Sequence, residues 1–158
     1  MVYTRKWKPE VRIVGVEAAG VRGDYQLCVC VVVRGSSWID GSFTLWWRVS
    51  DVASLVRGIK SSPFYEELTA VVFSSSLPLR GRVHEVASSL EKPALLVAGV
   101  EGSLVECSGL SVEEAESLLR TCRGPFGVEA LRLASLLAPL AKALYDAWKP
   151  LNLALQGS

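Results

Sequence analysis

Near Ser50 the hydrophobic period of the chain changes, and this change restricts the available folds more than any other feature of the sequence. Before that point apolar residues alternate or run without a break, as in β-strands; after it they recur every three or four positions, as on one face of a helix, with short apolar runs between. The stretch 11–17 reads as a strand that stops at an Ala18-Ala19-Gly20 turn. The β-branched run 25–34 reads as a second, ending at Gly35-Ser36-Ser37. After Asp40-Gly41, a compact turn signal, 43–49 alternates, with Phe43, Leu45, Trp47 and Val49 on one face and Thr44, Trp46 and Arg48 on the other. Three antiparallel strands are therefore predicted to open the fold.

Ser50 or Asp51 is placed to cap a helix that carries Val52, Leu55, Val56 and Ile59 on one side and ends at Ser61-Ser62-Pro63. A short buried strand, 69–73, follows. Beyond a polar, glycine-containing loop a second helix presents Val83, Val86, Ala87 and Leu90, and Lys92-Pro93 leads into another apolar strand, 94–98. Ser111 with Glu114 forms a capping box for a helix running to about Cys122, and Arg123-Gly124-Pro125 reads as a loop. The last helix spans roughly 128–148, with Leu133, Leu137, Leu140 and Leu144 at helical spacing and a kink or break expected at Pro139. No internal repeat, linker or low-complexity tract interrupts the series. Three antiparallel strands, two α/β units and terminal helices are the element order of a ribonuclease H-like α/β fold with a mixed five-stranded sheet. A right-handed crossover lays the fourth strand beside the first, where that fold assembles its metal-binding carboxylates.

The chain has 158 residues, enough for one domain to bury a core without disulfides or metal. Seventeen Lys and Arg nearly balance sixteen Asp and Glu, so net charge names no partner. The basic first ten residues lead into no apolar signal core, and the apolar run 27–33 is far too short to span a membrane, so no membrane partner is expected. Residues 1–9 read as a basic arm, with Trp7 among Arg5, Lys6 and Lys8. Cys28, Cys30, Cys107 and Cys122 contain no C-x-x-C pair, which fits packed thiols in a reducing, cytoplasmic location. One Asn and two Gln in the chain suit a heat-adapted, thermophilic source.

Particular residues resemble a known family: the run from Lys8-Pro9-Glu10 to Gly15-Val16-Glu17, then Val33-Arg34-Gly35, Ile39-Asp40-Gly41, Ser61-Ser62-Pro63-Phe64-Tyr65, and Glu129-Ala130-Leu131-Arg132-Leu133-Ala134. In this order, over about 8–144, they look like an archaeal family of uncharacterised proteins, endonuclease dU, related to endonuclease V. The resemblance implies a nuclease acting near a deaminated base, uracil or inosine, in DNA repair, with magnesium or manganese held by carboxylates. In that family the first strand ends Gly-Ile-Asp-Asp; here Gly15-Val16-Glu17-Ala18 leaves one acid. The acid at the start of the helix after the third strand falls on Ser50, with Asp51 one place out. The fourth strand ends in Ser74 in place of aspartate, and the next helix keeps Glu85 beside His84, the only histidine.

Glu17, Asp51 and Glu85 are thus the remnant catalytic set, able to share a cation only if they converge, with His84 a candidate for proton transfer. Each has a plain alternative: Glu17 and His84 as solvated side chains, Asp51 as a helix cap, Glu85 on the polar side of its helix. Serine in place of a bridging carboxylate supplies no charge against a dication, so a standard two-metal site is not expected. Arg80, Arg82, Arg120 and Arg123 near loops are candidate phosphate contacts, and Trp46 a candidate for stacking on a base or anchoring a subunit. The favoured reading is a catalytically impaired endonuclease V-like protein, a pseudoenzyme that binds nucleic acid or a protein partner, including a second copy of itself, with no cofactor. The competing reading is a metal-dependent endonuclease. A small-molecule enzyme has no nucleophile motif or phosphate loop to support it.

Overall fold

The computed structural model describes residues 6–147. A six-stranded sheet of order β3-β2-β1-β4-β5-β6 forms its middle layer. Strands β1 (Arg12–Arg22), β2 (Tyr25–Arg34) and β3 (Trp38–Arg48) are antiparallel neighbours, and β4 (Ala70–Ser74) runs parallel to β1. Strand β5 (Ala94–Ala98) continues parallel to β4. The predicted mixed α/β fold is present, with the fourth strand beside the first as expected.

The period-two alternation sends the two faces of each strand into different cores. Val14, Val16, Phe73 and Trp47 meet α1 (Val52–Lys60) and α2 (Val83–Leu90) on one side. On the other, Ile13, Val31 and Val72 meet α3 (Val112–Thr121) and α4 (Glu129–Ala147). Helix α1 buries Val52, Leu55, Val56 and Ile59, each worth about 1.5–3 kcal/mol of burial. The capping box of Ser111 and Glu114 opens α3 as its spacing requires. Helix α4 continues through Pro139 instead of ending there. The described residues contain no helix long and apolar enough to cross a membrane.

Four sequence expectations are corrected. Ala18-Ala19-Gly20 is not a turn: β1 passes through it with a β-bulge, and Gly23-Asp24 makes the turn into β2. Asp40-Gly41 lies inside β3, because the Asp40 carboxylate is drawn inward by Arg12 and Arg34 and Gly41 lies against the Phe64 ring. The sheet has a sixth strand, β6 (Ser103–Ser108), antiparallel to β5, and Arg123-Gly124-Pro125 belongs to a small hairpin of β7 (Arg123–Gly124) and β8 (Gly127–Val128). Of the basic arm, residues 1–5 lie outside the described residues, while the Trp7 indole donates to the Glu114 carbonyl at 3.1 Å.

Candidate functional site

The carboxyl ends of β1 and β4 meet where their parallel pairing closes. Val16 pairs with Phe73, so Glu17 and Ser74 are the next residues on neighbouring strands. Helix α4 crosses β1 at Gly15 in direct contact: a Cβ there would stand 2.6 Å from the carbonyl carbon of Ala130. That close approach brings Ser135, further along α4, over the strand end, where its hydroxyl donates to Glu17 Oε2 at 3.2 Å.

The other carboxylate oxygen is also engaged. Glu17 Oε1 accepts from the Ser76 hydroxyl and, at 3.1 Å, from the Ala18 amide. Ser76 is held in turn by Ser74, whose Oγ lies 3.0 Å from Ser76 Oγ and accepts from the Ser76 amide at 3.2 Å. Ser74 itself is only 9% exposed. Three neutral donors therefore surround one carboxylate, and the position implied for a second acid is filled by a buried hydroxyl. Beneath the site the Cys28 thiol is pushed up to about 12, chiefly by burial, with the Glu17 charge adding.

The other remnant acids belong to helices packed on the opposite face. Asp51 is the N-cap of α1: it accepts from the Ala53 amide at 3.1 Å and lies 3.5 Å from Arg57. Glu85 is exposed on the first turn of α2. His84, also exposed, pairs its Nδ1 with the Ser108 hydroxyl at 2.9 Å, on β6. Among the described residues no three His, Cys, Asp or Glu side chains form a group that could hold a metal ion. The donor set around Glu17 does not fit the divalent cation that the resemblance implies.

The arginines divide. Arg82 donates to the carbonyls of Val49 at 2.9 Å and Pro78 at 3.3 Å and lies over the Trp47 ring, tying the end of β3 to the loop before α2. Arg123 donates to the carbonyls of Glu101 and Gly102. Arg80 and Arg120 are exposed. Trp46 is half-buried, with Tyr145 edge-on at 4.7 Å, so its ring is not an open stacking platform. Sequence reasoning missed Ser76 and Ser135. The signal for Ser135 was a hydroxyl amid the apolar residues of a helix, and for Ser76 the run Ser74-Ser75-Ser76 directly after a buried strand.

Solved structures share the fold of this chain. Human endonuclease V aligns with a TM-score of 0.63 at 12% identity, over 86% of this chain and 86% of its own. The chain shares the fold of endonuclease V. Endonuclease V of Ciona intestinalis, in complex with a 24-mer DNA containing an inosine followed by a ribo-adenosine, aligns with a TM-score of 0.60 at 10% identity, over 87% of each chain. A protein of unknown function from Archaeoglobus fulgidus aligns with a TM-score of 0.67 at 15% identity, over 83% of this chain and 98% of its own. No protein-family model and no curated protein sequence matches the chain.

Proposed function

We propose that this chain is a nucleic-acid-binding protein built on the endonuclease V fold, which holds a strand without cutting it. The observation that carries the reading is the hydroxyl-lined carboxylate of Glu17 beside buried Ser74. Metal-assisted phosphodiester cleavage needs several hard anionic ligands converging on the cation that activates water and neutralises charge developing on the phosphate. One carboxylate already accepting from two serines and a backbone amide offers that chemistry poor support. The DNA bound by the Ciona protein of the same fold supports a strand as the ligand.

The test measures binding and cleavage together. Labelled single and double strands containing uracil or inosine are incubated with the pure protein and magnesium or manganese, then read by fluorescence anisotropy and on denaturing gels. Salt-sensitive binding with intact strands is the expected result. Metal-dependent cleavage that Glu17→Ala abolishes would overturn the reading in favour of an active endonuclease. Absence of binding at low salt would remove nucleic acid as the ligand.

A further inference from the structure

Between β7 and β8 the chain turns through Pro125 and Phe126, and the Phe126 side chain is 75% exposed, more than Trp38 at 63% or Tyr25 at 45%. A single exposed ring is ordinary on a protein surface; one that is held in place beside a candidate site is not. The hairpin is fastened at both of its strands. Arg123 donates from Nε to the Glu101 carbonyl at 2.8 Å and from Nη2 to the Gly102 carbonyl at 3.3 Å, and the Val128 amide donates to the Val100 carbonyl at 2.6 Å. Gly127, at a φ of +127°, lets the backbone lie on that turn, since a Cβ there would stand 2.8 Å from the carbonyl carbon of Val100. The ring is therefore presented from a fixed base.

That base belongs to the Glu17 end of the sheet. The turn 99–102, which anchors the hairpin, follows directly on the carboxyl end of β5, and β5 lies parallel beside β4. From the helix side, the guanidinium carbon of Arg132 lies over the Phe126 ring, 6.0 Å from its centre. Ser135, three residues further along α4, donates to Glu17. Residues three apart are neighbours on a helix surface, so Phe126, Arg132, Ser135 and Glu17 follow one another along the carboxyl ends of the parallel strands. Open α/β sheets bind their ligands at that end. Arg132 stands in the first turn of α4, about 22 Å along the axis from Ala147, the last described residue.

The charge balance says what the ring is suited to meet. Glu129 grips the Arg132 guanidinium at Nε and at Nη2, each at 2.8 Å, so the cation is answered within the chain and the pair offers no net charge to a phosphate. What remains is an aromatic plane with a guanidinium behind one face and the other face open. A flat, uncharged surface complements it, and every nucleobase carries one whatever the sequence. A second copy of the chain is poorly matched, because one ring at a hairpin tip falls far short of the roughly 800 Å² per partner that a stable protein interface buries. We propose that Phe126, backed by Arg132, is a platform on which an unpaired base stacks as a strand passes the Glu17 end of the sheet. This rests on the strand binding proposed above and names the element that holds a base.

Binding of an unmodified single-stranded oligonucleotide and of the matching blunt duplex is measured by fluorescence anisotropy for the full chain, Phe126→Leu and Phe126→Trp across a range of salt. Phe126→Leu is expected to weaken single-strand binding about fivefold or more, by the same factor at every salt because stacking releases no counterions. Duplex affinity and the thermal midpoint are expected to stay as they are. Phe126→Trp is expected to keep the single-strand affinity, and the emission it gains over the unaltered protein to be quenched when the strand saturates it. If Phe126→Leu lowers the midpoint, that quenching decides. Single-strand affinity unchanged in Phe126→Leu, or a loss shared equally by the duplex, overturns the platform and leaves strand binding standing. Absence of strand binding by the unaltered protein overturns both. Self-association that Phe126→Leu abolishes, beside unchanged strand affinity, overturns the platform and gives the ring to a second copy.

Discussion

Ser135 on α4 donates to Glu17 at the end of β1 at 3.2 Å, across 118 residues of sequence. Together with Ser76 it covers both oxygens of the acid with donors that belong to the chain. The deficit beside it is one carboxylate, at Ser74. Ser74→Asp is expected to set two carboxylates on adjacent strands, lowering the thermal midpoint by several degrees in EDTA because like charges meet in a nearly buried position. Manganese is expected to recover that loss in the variant and to leave the unaltered protein's midpoint in place, as scanning calorimetry will show.

Gly15→Ala tests the contact that positions Ser135. The new methyl carbon would stand 2.6 to 2.8 Å from three atoms of Ala130, two of them backbone, so α4 must move away from β1. A loss of about 1–3 kcal/mol is expected in urea unfolding.

The ion pairs in β3 give the fold an acid-side dependence. The hydrogen bond from Arg34 first, and then that from Arg12, hold the Asp40 carboxyl below its ordinary value against the opposing effect of burial. A lowered carboxyl stabilises the folded chain above its unfolded value of 3.8, and that contribution disappears as pH falls from there through the folded value. Asp40→Asn is expected to cost about 1 kcal/mol at neutral pH, since Arg34 is partly exposed, and to converge with the unaltered protein once the pH has fallen through the folded value of the carboxyl. Thermal melts across pH 2–7 measure the gap.

The thiols predict a labelling pattern. Burial pushes Cys122 up to about 12, as it does Cys28, and holds Cys30 well above the ordinary value, so all three stay protonated and enclosed at pH 8. Cys107 is raised as well, by burial and then by the charges of Glu113 and Glu116, but on β6 it is half-exposed and so the one thiol that solvent reaches. Iodoacetamide at pH 8 is expected to modify Cys107 alone in the folded protein and all four after denaturation, as read by peptide mass spectrometry.

Much of this was legible in sequence because core faces announce themselves by period. Val52, Leu55, Val56 and Ile59 fixed α1, and the alternation around Trp47 fixed the facing of β3. Strand β6 was not legible: SLVECS is short, only half-buried and at the sheet edge, so neither face imposes a clear alternation. Asp40-Gly41 misled because its turn chemistry was overridden by two arginines, one from β2 and one from β1. At the site, Glu17 and Ser74 followed from the resemblance, and their adjacency from the expected crossover. Ser76 and Ser135 did not, since a loop and a helix distant in sequence deliver them to the carboxylate.

The β-bulge at Ala18-Ala19-Gly20 works on β1 as a frameshift works on a message. Upstream of it the odd-numbered Gly15 and Glu17 face α4; downstream the even-numbered Gly20 does, against the stem of Lys142. Alternate letters counted from the start of the strand therefore give its far end the wrong side. A letter-by-letter comparison with a chain of this fold that lacks the extra residue would hand the chemistry of one face to the other.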